Sequence, residues 1–196
     1  MNTKEIKIRN ANKNDAPVIA KAVAMGIGDE KAARGYCGDN YISILTEIAM
    51  NDHSQYSYRN VLIAEIDGIA VGAAIGYDGA QLQELRATTY QIINKRTGHT
   101  PSIPDETEAG EFYIDTVAVF PEFRGIGIGR KLVSETCDKA FSLGHEHVGL
   151  IVDNDNPRAE ALYTSLGFSR VGRKTFLGHK MWHLQTTKTN DAGSAE

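Results

Sequence analysis

Val117-Ala118-Val119-Phe120-Pro121-Glu122-Phe123-Arg124-Gly125-Ile126-Gly127-Ile128-Gly129-Arg130 reads as a strand, a tight turn and the start of a helix. The apolar run stops at Pro121, which cannot donate to a sheet ladder, and three glycines alternate with isoleucines just before the helical pattern Lys131-Leu132-Val133. Successive backbone N–H groups in such a turn converge on one point. The free amides and positive dipole end of the following helix favour an anion there. Arg124 and Arg130 flank the turn with permanent positive charge. The stretch is therefore a phosphate cradle. It lacks the G-x-G-x-x-G spacing and first-strand position of a dinucleotide fingerprint, and no Walker lysine followed by Ser or Thr accompanies it.

Upstream, Ile6-Lys7-Ile8-Arg9 alternates as a strand, and Asn14 or Asp15 can cap a helix with Pro17 in its first turn that runs to about Met25. Gly26 and Gly28 break it. A loop containing Gly35 and Gly38 leads to a second helical pattern at Tyr41, Ile44, Leu45, Ile48 and Ala49. Val61–Ile66 and Ile69–Ile75 read as antiparallel strands joined by the two-residue hairpin signal Asp67-Gly68. Residues 78–110 form an insertion with a helical part from Gln81 to about Asn94, and a segment this long suits a lid. Then follow a strand from Glu111 to Phe120, a helix from Gly127 to Leu143 and a strand from Val148 to Val152. A short helix from Pro157 to Leu166 and strands at Phe168–Arg173 and Met181–Leu184 end the domain, which is read as residues 1–185. Residues 186–196 read as a polar, mobile tail.

A chain of 196 residues, 41% hydrophobic and 23% charged, has the makings of one globular domain. No window approaches the roughly 18 consecutive apolar residues of a membrane span, and the N-terminus lacks a signal peptide's apolar core. A cytoplasmic protein is expected, without membrane partners. The net charge of −4 provides no basic footprint for nucleic acid. Asp105, Glu106, Glu108, Glu111 and Asp115 form an acidic run, either a solvated loop or a mouth attracting cations. Cys37 and Cys137 lack metal-ligand spacing, and the pairs His145 with His147 and His179 with His183 lack a third ligand nearby, so no metal is expected.

A second segment, Asn156-Pro157-Arg158-Ala159-Glu160-Ala161-Leu162-Tyr163-Thr164-Ser165-Leu166-Gly167-Phe168, places a capping Asn about two helical turns before a Tyr on the same face. Together with Arg124-x-x-Gly127-x-Gly129 it resembles the two hallmark motifs of the GCN5-related N-acetyltransferase (GNAT) family. The resemblance covers about Glu111 to Leu184; the first half agrees in the order of its elements. It implies an α/β (α+β) fold: a mixed, mostly antiparallel sheet of six to seven strands, splayed between the fourth and fifth and flanked by about four helices. It implies acetyl-CoA as acyl donor, its pyrophosphate on the amides of Gly125, Ile126, Gly127, Ile128, Gly129 and Arg130. Pantetheine would pair with backbone along Val117-Ala118-Val119, with Asn156 and Tyr163 beside it. A homodimer is compatible with the resemblance.

Amine acetylation needs a proton acceptor, because an aliphatic amine with a pKa of about 10 is protonated at neutrality. By the period of two, Glu111, Tyr113 and Asp115 share a face with Val117 and Val119. Asp115 is the first candidate base and Glu111 the second; hydrogen bonding at a strand bulge is the other reading of Asp115. The resemblance assigns the oxyanion to a backbone N–H near Val119 and makes Tyr163 the acid that protonates the leaving thiolate; on spacing alone a core residue is the favoured reading of Tyr163. Asn156 either supports pantetheine or caps its helix. The expected acceptor is a small cationic amine. A protein or peptide amine, and a CoA-binding module without catalysis, are the alternatives.

Overall fold

At Asp67-Gly68 the chain reverses with φ of 52° and 80°, the doubly left-handed geometry of a two-residue hairpin turn. The computed structural model describes residues 5–188. Strands β1 (Lys7–Asn10), β2 (Val61–Ile66), β3 (Ile69–Asp78), β4 (Phe112–Val119), β5 (His147–Asp153), β6 (Ser169–Phe176) and β7 (His179–Thr187) make one sheet in the order β1-β2-β3-β4-β5-β7-β6. Every neighbouring pair is antiparallel except β4 and β5. Helices α1 (Ala16–Ile27), α2 (Glu30–Cys37), α3 (Tyr41–Met50), α4 (Leu82–Thr97), α5 (Ile128–Ser142) and α6 (Pro157–Thr164) complete the described residues. That is six where about four were expected.

The missed helix is α2. Asp29 accepts from the Ala32 N–H at 2.8 Å and Glu30 occupies the first turn, a start signal that Gly35 within the helix obscured. Likewise α1 runs through Gly26 and is closed by Gly28. The last strand continues through Thr187, two residues into the expected tail, and residues 189–196 lie outside the described ones.

Both faces of the sheet are covered. On one, Ile19, Ala20 and Val23 of α1 and Ile44, Leu45 and Ile48 of α3 pack on Ile63, Ala73, Ile75 and Ala118. On the other, Ile128 and Leu132 of α5 meet Leu62, Ala64, Val71 and Ala74, and Val133, Cys137 and Ala140 meet Phe112, Ile114, Val148 and Leu150. Each fully buried Ile or Leu here contributes about 1.5–3 kcal/mol of transfer free energy.

Two irregularities in β4 shape everything that follows. Ile75 of β3 faces Thr116, but Gly76 faces Ile114, so Asp115 is an extra, bulged residue. And β4 pairs with β5 only at Phe112–Val148 and Tyr113–Gly149, after which the two parallel strands part.

Candidate active site

The glycine turn leads into α5 with Gly125 and Gly127 at φ of 84° and 89°, a conformation that a side chain would strain. Gly127 is the N-cap, without a side-chain capping bond. Among the described residues, the N–H groups of Gly125 through Arg130 have no hydrogen-bond partner. Ile128 is buried in the core and offers backbone only, while Ile126 is 55% exposed. Arg124 Nε donates to the Val119 carbonyl at 3.0 Å, and Arg130 donates to Ser165 Oγ at 2.6 Å, tying the turn to β4 and to the end of α6. Six open amides at a helix start fit a diphosphate.

The gap between β4 and β5 opens beside this turn. The Phe120 N–H donates to Val71 O of β3 at 2.9 Å. By strand alternation, Val119 and Val117 therefore direct their N–H and C=O groups away from β3 into the gap. Ala118, unlike Val117 and Val119, turns its backbone towards β3 and its side chain into the core against α1 and α3. Where β5 leaves the gap, Asn154 Oδ1 is buried without a partner, an acceptor open to a ligand N–H. Asn156 accepts from the Ala159 N–H at 3.1 Å and so caps α6.

Across β4 lies a cavity of about 650 Å³. Its walls come from α1 and α2, from residues 99–103 after α4, and from the β6–β7 hairpin tip; Tyr113 and Ile151 line it where β4 and β5 separate. The bulge puts Asp115 here with Tyr113 and Thr116, while Val117 and Val119 pack on the opposite side with α5. The expectation that Asp115 shares a face with Val117 and Val119 fails for that reason: one extra residue inverts the alternation. Gly26 permits the close approach of α1, since a Cβ there would lie 2.8 Å from Thr116 Oγ1.

Asp115 accepts from Tyr77 Oη at 2.7 Å, Thr116 Oγ1 at 2.9 Å and Gln55 Nε2 at 3.1 Å. Gln55 Nε2 also lies 3.1 Å from Glu106 Oε1, and Tyr77 Oη 3.5 Å from it, so two carboxylates share donors. Behind Glu106, buried Arg86 donates to its Oε2 and to Asp105 at 2.5 Å. Burial, reinforced by the charge of Asp115, pushes Glu106 up to about 7 against the pull of Arg86. Burial also raises Asp115, against its three donors. The pair holds a proton more tightly than isolated carboxylates do. Gln55, Tyr77 and Arg86 were not foreseen, and Glu106 stood out only as part of the acidic run.

That run divides in space. Glu111 is 2% exposed and does not line the cavity. It accepts from Thr107 Oγ1 at 2.6 Å, His183 Nε2 at 2.8 Å and Gln185 Nε2 at 2.7 Å, against Gly149, where a Cβ would overlap its carboxylate. It joins β4, β5, β7 and the insertion, and the geometry gives it no route to an acceptor in the cavity. Tyr163 packs against Phe168 with ring centroids 5.8 Å apart, and burial raises its phenol to about 12. Its hydroxyl has no hydrogen-bond partner among the described residues. His179 pairs with Asp153 at 2.9 Å, and among the described residues no three His, Cys, Asp or Glu side chains gather as a metal site. Among those residues no helix is long and apolar enough to cross a membrane.

The model of the acetyltransferase (GNAT) family matches residues 37–168, more than half of the chain, and the chain belongs to that family. The N-alpha-acetyltransferase RimI of Mycobacterium tuberculosis is 43% identical over 77 residues, 39% of this chain and 42% of that protein. A mycothiol acetyltransferase of Kocuria rhizophila is 43% identical over 70 residues, 36% of this chain and 22% of that protein. The matched segments thus span less than half of these relatives. A solved acetyltransferase crystal structure superposes with a TM-score of 0.81 at 30% identity, over 92% of this chain and 98% of its own.

Proposed function

We propose that this chain transfers an acetyl group from acetyl-CoA to the amino group of a small molecule lodged in the cavity, with Asp115 as proton acceptor. The observation that carries the reading is the junction: one cavity is lined both by Asp115 and by Tyr113 and Ile151, where the sheet opens towards the phosphate turn. An acceptor amine in the cavity would thus meet a thioester entering through the gap. Residues 1–185 act in this reading as a single domain, with 78–110 as a lid-forming insertion.

The open amides of Gly125 to Arg130, with Arg124 and Arg130, hold the diphosphate, and Asn154 Oδ1 takes a donor from the arm that follows. The bound donor supplies the acetyl group as a thioester. Asp115, oriented by Tyr77, Thr116 and Gln55, draws the ammonium into place and accepts its proton, directly or through water. The N–H groups of Val117 and Val119 point into the gap and suit the oxygen that gains charge during attack. Tyr163, kept protonated by burial, donates to the departing thiolate, whose conjugate acid resembles cysteine with a pKa of about 8.5.

Kinship with RimI supports a protein α-amine as a second reading. Residues 99–103 and the hairpin tip at Phe176 and Leu177 wall the cavity, which suits a small molecule better than a polypeptide. Thiol release from acetyl-CoA should be measured over a panel of small amines and N-terminal peptides, with cofactor binding followed by calorimetry. Turnover with small amines is expected, and Tyr163→Phe should lower kcat about tenfold or more with acetyl-CoA affinity unchanged. Turnover with peptides alone would establish the second reading. Cofactor binding without turnover by any amine would leave a CoA-binding module.

A further inference from the structure

We infer that the acceptor is a monoamine with an uncharged, apolar body, and that diamines, polyamines and amino acids are excluded. The inference rests on the acetyltransferase reading and follows from where charge is placed around the cavity. Two carboxylates line it, Glu106 and Asp115. Glu106 already has a cationic partner in Arg86, whose side chain is 5% exposed and sits behind it. The donors to Asp115 are all neutral: Tyr77, Thr116 and Gln55. Arg86 is shared between Glu106 and Asp105, and of the two carboxylates that line the cavity only Asp115 has no cation in contact, which makes it the anchor for one ammonium.

Elsewhere the lining is mostly apolar or aromatic, with Tyr36, Tyr56, Ile103, Ile151, Leu177 and Met181 supplying much of it and His99, Thr100, Ser102 and Thr116 adding polar groups. A second ammonium several bonds from the first would lose its hydration against such groups and gain no counter-charge. A carboxylate fares no better, because among the lining residues the only side chain with a basic group is His99. An alkyl or aryl body exchanges water for these walls at a gain. The chemistry then assists release. The bound ammonium gives up two protons: the first passes to Asp115 and on to solvent before attack, and the second leaves nitrogen as the C–N bond forms and the C–S bond breaks, replacing through solvent the proton that Tyr163 gives to the thiolate. The acceptor leaves as a neutral amide that Asp115 no longer attracts.

Three acceptors of equal length separate charge from size: hexylamine, hexane-1,6-diamine and 6-aminohexanoate. With acetyl-CoA and the full chain, kcat/KM for hexylamine should exceed that of both others by about tenfold or more. Binding of the same three compounds, read by calorimetry in the presence of CoA, should follow the same order without any chemistry. Failure of transfer is thereby distinguished from failure of the acceptor class. Leu177→Glu, at an exposed position on the cavity rim, should raise the ratio of the diamine's kcat/KM to that of hexylamine by about tenfold. A diamine or amino acid that binds the unaltered chain as well as hexylamine overturns the inference, whatever the turnover.

Discussion

Two carboxylates at opposite ends of one short stretch, Glu111 and Asp115, each accept three hydrogen bonds, yet their affinities for protons move in opposite directions. Burial penalises both charges. At Glu111, hydrogen bonds from His183, Thr107 and Gln185 overcome that penalty and hold the group below the usual carboxylate range. At Asp115, burial prevails over donors from Tyr77, Thr116 and Gln55, and two of these donors are shared with Glu106. The number of hydrogen bonds does not decide the outcome. What decides it is whether the donors are exclusive and whether a cation-forming partner or a second anion stands next to the group. The first arrangement makes a fastener between strands, and the second makes a group that can take up a proton.

The contrast is most exposed to test at Asp115. Asp115→Asn should lower kcat/KM by about 10²–10³-fold at neutral pH, with acetyl-CoA affinity unchanged and partial recovery at alkaline pH, where the amine loses its own proton. Steady-state rates across pH would break the comparison if the profile and rate stayed as they were. Glu111→Ala should do the reverse. It leaves three buried donors without their acceptor and should cost about 2–4 kcal/mol of stability, read by denaturant unfolding, with kcat of the folded fraction close to the parent's. Because the carboxyl of Glu111 is held low in the folded state, its contribution is present above the pKa of the unfolded chain's carboxylates and is lost as pH falls through its folded value. Stability of the variant should therefore depend less on acid pH than that of the parent.

The smallest effect belongs to Glu106→Gln. Removing the second anion lets Asp115 ionise more readily, so the acid limb of kcat/KM should move to lower pH by about one unit, worth about 1.4 kcal/mol. In the folded chain Glu106 holds its proton up to about 7, so its linkage runs opposite to that of Glu111. It favours the folded state below the unfolded carboxylate pKa, and that advantage is lost as pH rises through about 7. An acid limb left in place by Glu106→Gln would mean that Asp115 titrates without reference to its neighbour, and the comparison would reduce to burial alone.

Much of the fold was legible because its signals are local. The Asp67-Gly68 turn, the helix cap at Asn156 and the positive φ at Gly125 and Gly127 each depend on a few contiguous residues. Glu111 and Asp115 could be singled out by residue type and spacing, and Tyr163 by the family resemblance, but not their surroundings. No pattern in Gln55 announces that its amide will lie against two carboxylates, and α2 escaped because Gly35 looks like a break. The alternation rule misassigned Asp115 because the bulge is created by the match with β3, where Ile75 meets Thr116 and Gly76 meets Ile114.

The amino-acid order alone determined the glycine turn, the succession of strands and of every helix but α2, and the family likeness, since backbone preferences and hydrogen-bonding capacity act between near neighbours. The tertiary structure alone decided which carboxylate faces the cavity and which fastens the sheet. Proton affinity is a sum over space: Asp115 answers to Gln55, Tyr77, Arg86 and Glu106, and Glu111 to Thr107, His183 and Gln185, groups that only folding brings within reach.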